Sequence, residues 1–262
     1  MKKKYDPGFM DKSEKTLEFL KSLDSSIESP VSVLFTGKTS KSAWHIRGNQ
    51  IAALRNNWIA TNNPTEEEIE NSDIVCIVKK PDYKLLAKLN KMKKPFVYDI
   101  IDCWKQPDDD IRISNKNESR IFFSQFFSNI NADGYIFADK YMEKDLSSLV
   151  ARSSTIYHHY WPQIKVNPIR EEVKVIGYDG ADFLGEWDNI LKRICSKKNV
   201  KFITSPLNHE EIDIVILTRG GDHASYLSQK YKSNVKMANA YGSGTPAIVN
   251  TNEISAHEVD RG

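Results

Sequence analysis

The chain has 262 residues, 40% of them hydrophobic and 27% charged, with a formal net charge of +2. That length holds one large domain or two of about 130 residues each, and the near balance of charge leaves no concentrated basic face of the kind a dedicated nucleic-acid binder carries. No apolar run approaches the roughly 18 residues of a membrane span, and the short basic start lacks the apolar stretch of a secretory signal.

Residues 13–23, with Leu17, Phe19, Leu20 and Leu23 on one face, predict an amphipathic helix packed beside a first domain. A first strand follows at 31–35, then a polar loop over 36–42, a helix over 48–56 and a short second strand at 58–60. The β-branched runs 74–78 and 96–101 read as strands separated by a Lys/Leu-rich helix over 82–91. Further along come a helix over 119–130, a strand at 135–138 and a helix over 140–150. Pro162 and Pro168 interrupt a stretch without clean period, which reads as a linker. Beyond it lie a strand at 173–176, a helix over 181–196, strands at 200–204 and 213–217, a helix opening at Ser233 and Asn234, and a strand at 247–249. Short strands that are apolar on both faces and alternate with helices predict an α/β fold of two Rossmann-like parallel-sheet domains. Their predicted bounds are 1–157 and 173–262, joined by 158–172. Cys76, Cys103 and Cys195 are odd in number and widely spaced, so buried free thiols in a reducing, cytoplasmic compartment are expected.

Ligands of open α/β sheets sit beyond the carboxyl ends of the strands. The rule selects Asp99, Asp102 and the segments 36–42, 177–180, 218–222 and 232–236. Ser233 and Asn234 are N-cap residue types, so backbone N–H groups and the positive end of the helix dipole are presented there, with Lys232 and Lys236 alongside. Such a helix start suits phosphate; the competing reading is an ordinary cap with solvated lysines. Arg219, beside Gly220 and Gly221, is either a bidentate diphosphate ligand or a surface loop arginine. His158 and His159 are adjacent and diverge, which favours a structural role. The acidic run 108–110 follows Pro107 and reads as a solvated loop rather than a metal-binding Asp-x-Asp pair.

Three segments, Ile-Asp-Ile-Val-Ile at 212–216, Lys-Ser-Asn-Val-Lys at 232–236 and Gly-Thr-Pro-Ala-Ile-Val at 244–249, together resemble the donor-binding half of GT-B glycosyltransferases. The similarity is greatest to the family-4-like group. Its pattern there is Lys-Ser-x-x-Lys, a small-residue helix, Gly-x-Pro and an apolar strand. The resemblance implies a GT-B fold, two Rossmann-like domains facing across a cleft, with acceptor on the first and a nucleotide-diphosphate sugar on the second. A UDP-sugar such as UDP-glucose is favoured. Carried over by position, Ser233, Asn234 and Lys236 would touch phosphate, and Gly177, Tyr178, Arg219, Lys232 and Val235 would complete the donor site. In the first half, Ala-Trp-His-Ile-Arg-Gly at 43–48 and Val-Tyr-Asp-Ile-Ile-Asp at 97–102 resemble acceptor-side segments of several members. Trp44, His45, Arg47, Asp99 and Asp102 are the acceptor-side residues so implied, with His45 or Asp102 as base or hydrogen-bond partner. The plain alternatives are a packed histidine and strand-end capping aspartates.

Departures from the family are visible too. Asn239 stands near the position of a ribose-binding glutamate. The segment 177–182, Gly-Tyr-Asp-Gly-Ala-Asp, is acidic where many members have Arg or Lys, so Arg219 or Lys232 would supply that charge. The family's long C-terminal helix has no counterpart before Gly262, so either a compact version or a missing end is expected. Small size and abundant Lys, Ile and Asn resemble glycosyltransferases of large algal viruses. The implied reaction transfers the sugar, with retention and without a metal or other cofactor, to a hydroxyl of a glycan or glycoprotein acceptor. Its catalytic groups would be His45, Asp102 and Arg219. Two alternatives stand beside it. One is a GT-B-fold sugar-nucleotide epimerase using Asp99, Asp102 and His209; the other is a non-catalytic nucleotide-sugar-binding module.

Overall fold

The computed structural model describes residues 7–23, 29–38, 42–103, 113–168, 170–179, 184–204, 209–219 and 225–252. The chain divides into two compact units. One comprises Met1–Lys105, Phe123–Phe137 and Ser147–Ser154; the other comprises Gln106–Phe122, Ala138–Leu146 and Thr155–Gly262.

The first unit is built on a six-stranded sheet of order β2-β1-β3-β4-β5-β6. Its strands are β1 (Val33–Thr36), β2 (Trp58–Ala60), β3 (Ile74–Val78), β4 (Phe96–Ile100), β5 (Gly134–Phe137) and β6 (Ser153–Thr155). The pairs from β2 through β5 are all parallel. Almost every residue of β3 and β4 is buried, as expected for central strands covered on both faces. One face of the sheet packs Phe35, Cys76, Val78 and Ile101 against Trp44 and Ala52 of the α2–α3 helical segment. Elsewhere Phe123, Phe126 and Phe127, from the helix Lys116–Ile130, meet Tyr98, Tyr135 and Phe137 in a cluster of tilted and edge-on rings.

The helices are α1 (Pro7–Ser22), α2 (Ser42–Trp44), α3 (Gln50–Ala52), α4 (Glu66–Asn71), α5 (Tyr83–Met92), α6 (Lys116–Ile130), α7 (Lys140–Leu146), α8 (Trp187–Lys197), α9 (Tyr226–Lys230) and α10 (Val235–Ser243). A π-helical turn, His45–Asn49, joins α2 to α3. The helix expected over 48–56 is therefore shifted towards the N-terminus and carries an extra residue in its winding. Helix α4 starts at a reciprocal capping box: Glu68 N–H donates to the Thr65 hydroxyl, and Thr65 N–H donates to the Glu68 carboxylate.

The second unit carries a four-stranded sheet, β10-β9-β7-β8, from β7 (Val175–Tyr178), β8 (Lys201–Thr204), β9 (Ile214–Leu217) and β10 (Ala247–Val249). Every pair in it is parallel. Ile212, Val215, Leu217 and Ala240 form the core on one face, and Tyr178, Leu184 and Ile216 on the other. Asp213 fixes the amino edge of this sheet, accepting from the Lys174 and Val175 N–H groups at 2.7 Å each and from Arg170 at 2.8 Å. Strand β7 lies two residues later than the predicted 173–176: Val173 is exposed, whereas Tyr178 is buried and in register with Ile216. The predicted start of the following helix, at 181, lies outside the described residues.

Candidate functional site

All four strands of the second sheet run the same way, so the ends of β7 and β9 and the start of α10 share its carboxyl edge. Helix α10 is closed at its far end by Gly244, whose φ of +66° is one that L side chains rarely adopt. At its near end Asn234 occupies the N-cap, but its side chain does not cap the helix. Ser233 and Asn234 are both buried. Two residues past the N-cap, the Lys236 ammonium lies 4.6 Å from the centroid of the Tyr178 ring, at the tip of β7. Arg219 follows β9 by two residues and is buried; Lys232 and Val235 are partly buried. Gly177, inside β7, is covered by Ile212, whose Cδ1 would stand 2.8 Å from an added Cβ.

Asp179, directly after Tyr178, is the acidic member of this group. His209 Nε2 stands 3.8 Å from its Oδ2. Burial alone would raise the Asp179 carboxyl, but His209, Lys236 and Asn239 together hold it below its ordinary value. The Asn239 carbonyl oxygen accepts the Trp161 N–H at 2.8 Å. His209 Nδ1 lies 3.3 Å from the Ser243 hydroxyl, which also donates to Ala240 O at 3.1 Å. The result is an ionised carboxylate beside Lys236 near the positive end of a helix, at the sheet edge that Arg219 and Lys232 also reach. Such a surface is suited to an anion with more than one charge.

The chain leading into α10 is tied down by a buried polar network centred on Asp145 of α7. Its Oδ2 accepts from Tyr226 at 2.7 Å and from Tyr231 at 2.9 Å, while Lys116 reaches Oδ1 at 2.8 Å. Ser119 donates to the Tyr231 hydroxyl at 3.0 Å, and Arg120 donates to the Asp145 carbonyl. Tyr231 immediately precedes Lys232, Ser233 and Asn234, so this network sets where they emerge. No local sequence signal marks Asp145 or Ser119; only their contacts do.

At the carboxyl edge of the first sheet the predicted residues separate into two groups. Trp44 is a core residue, with its ring laid across Gly48 so closely that a Cβ there would come within 2.8 Å. Arg47 and Asp99 are buried against each other in a bidentate pair of 2.8 and 2.9 Å. Burial acts to lower the Arg47 guanidinium, yet Asp99 more than offsets it and the net direction is up. His45 opens the π turn, largely buried, with Asn49 Nδ2 3.3 Å from its Nδ1; such turns occur often at functional sites. Asp102 pairs with Lys79 at 2.6 Å, and both side chains are partly exposed. Lys79, Asp102 and Cys103 all have positive φ, between +49° and +61°, a costly backbone state for non-glycine residues. Lys79 was not singled out in the sequence, although its place at the end of a predicted strand could have found it.

The acidic run 108–110, the glycines 220–221 and the segment 180–182 lie outside the described residues. Among the described residues, no three His, Cys, Asp or Glu side chains form a group able to hold a metal, and no helix is long and apolar enough to cross a membrane. A broad, open depression of about 830 Å³ lies at the opposite, amino edge of the second sheet, lined by Glu172, Lys174, Lys198 and Lys201 among others, away from all these groups. No protein-family model matches the chain, and neither does any curated protein.

Proposed function

We propose that the chain is a GT-B glycosyltransferase whose second unit binds a nucleotide-diphosphate sugar, with a UDP-sugar favoured. One observation carries this reading: Lys236, two residues into the helix that Ser233 and Asn234 open, meets the Tyr178 ring and the Asp179 carboxylate at the carboxyl edge of a parallel sheet, with Arg219 leaving the neighbouring strand at the same edge. Diphosphate is the anion that best uses a helix start, an ammonium and a guanidinium together. Acceptor-side roles are assigned to His45 and Asp102 of the first unit.

In the proposed reaction the acceptor hydroxyl forms a bond to the anomeric carbon on the face from which the carbon–oxygen bond to diphosphate breaks. Configuration is retained, the bonding pair departs on the diphosphate, and the hydroxyl proton passes to the departing diphosphate oxygen on the same face, from which it is lost to solvent. Lys236, Arg219 and the helix start neutralise the charge that develops on the leaving group. No enzymatic nucleophile is required.

Thermal-shift measurement with UDP, GDP, UDP-glucose and GDP-mannose tests the donor site. A ligand at 100 times its Kd stabilises by about 2.7 kcal/mol, so UDP and its sugar should raise the melting temperature clearly. No shift with any of the four rejects the donor site. Binding with neither hydrolysis nor transfer of the sugar would instead identify a binding module, and interconversion of the bound sugar an epimerase.

A further inference from the structure

We propose that Asp179 makes this site selective for a nucleoside diphosphate esterified to a sugar over the free nucleoside diphosphate. The inference rests on the donor-site reading above and assigns to it a specificity-determining residue.

Three features place the carboxylate where it can discriminate. It follows Tyr178, whose ring carries the Lys236 ammonium at 4.6 Å, so Asp179 lies beside the cation assigned to phosphate. His209 stands 3.8 Å from it, and Asn239 acts with His209 and Lys236 to favour its charged form. The orientation of the Asn239 amide is set by the Trp161 N–H at 2.8 Å from its oxygen. Finally, the Asp179 side chain is 22% exposed, in contrast to the enclosed His209. An anion pinned inside a cationic site is a charge the ligand must tolerate.

Esterified and free diphosphate differ in that charge. A terminal phosphate has a second pKa of about 6 and gains nearly one more negative charge at neutral pH, which an esterified phosphate cannot. In transfer, the carbon–oxygen bond breaks and the diphosphate keeps the electron pair, so the extra charge appears in full only on the product. Asp179 therefore weakens the hold on product relative to substrate, while Arg219 and the helix start still neutralise the partial charge of the transition state.

Calorimetric titration of the full chain with UDP and with UDP-glucose, for wild type and Asp179→Asn, tests this. UDP should tighten by about tenfold in the variant and UDP-glucose by roughly threefold or less, a difference that shrinks at high salt. Equal effects on the two ligands, no effect, or weakening of both would overturn the inference, leaving Asp179 as a support for Lys236 or an acceptor of sugar hydroxyls. Should the asparagine variant not fold, Asp179→Ser carries the same test. Failure of the wild type to bind either ligand overturns the donor site itself and is seen without any variant, so the two failures are distinct.

Discussion

Arg47 and Asp99 are almost completely buried, and each is the other's bidentate partner. A buried pair of this kind is expensive to break because the surviving charge is left in an apolar setting. Asp99→Asn should lower unfolding free energy by about 3–5 kcal/mol, measured by urea titration, and joint replacement by Met and Leu should recover most of that loss. Lys236 is the opposite case, a charge at the rim of a sheet edge. Lys236→Ala should weaken UDP binding by about 1.5–3 kcal/mol in calorimetry; unchanged affinity would remove its phosphate role. The chemistry of both aspartates was legible as strand-end polarity, but their partners were not. Asp99 meets a residue 52 positions earlier and Asp102 one 23 positions earlier. Such pairings are set by strand register, which short apolar runs do not encode singly.

Helices α7, α9 and the start of α6 meet at Asp145, so the approach to α10 is fixed by one carboxylate rather than by apolar packing alone. Burial acts to raise that carboxyl, but hydrogen bonds from Lys116, Tyr226 and Tyr231 outweigh it and hold it below its ordinary value. Burial first, and Asp145 with it, pushes both phenols up. A depressed folded-state value contributes stability that is complete above the unfolded value of about 3.9 and disappears as pH falls through the folded one. Asp145→Asn should therefore cost about 1–3 kcal/mol at pH 7, and urea titration at about pH 3.5 should show the gap to wild type narrowing as the wild-type carboxyl approaches its own titration. A gap independent of pH would mean that shape, not charge, is what Asp145 supplies. At this scale the apolar strands were readable, with 58–60, 74–78 and 247–249 recovered to the residue. Strand β6 and helices α4 and α9 were missed. Strand β6 is a polar edge strand of three residues, and α4 is short and acidic, with one buried residue. The hydrophobic period that reveals longer elements has nothing to act on in either. Only the Thr65 and Glu68 spacing announced α4, and Thr65→Ala should destabilise by about 1 kcal/mol.

Proline-rich punctuation near 158–172 suggested a cut between two sequential halves, yet the second unit gathers Gln106–Phe122 and Ala138–Leu146 to itself along with Thr155–Gly262. The reason is chemical: Tyr226 and Tyr231 have their hydroxyl partners at Ser119 and Asp145, in those earlier pieces. A fragment comprising 158–262 contains every residue of the proposed donor site and the whole of the four-stranded sheet, but it leaves the buried Tyr231 and the half-buried Tyr226 without their acceptor. Each buried hydroxyl so stranded costs about 1–3 kcal/mol, against a total stability of about 5–15 kcal/mol for a typical domain. The fragment should consequently lack a cooperative thermal transition in circular dichroism and should fail to bind UDP even if the full chain does. A fragment beginning at residue 106 restores Lys116, Ser119 and Asp145 and should regain both. If 158–262 melts cooperatively and binds nucleotide alone, the Asp145 network is dispensable and the donor half is a sequentially self-contained unit.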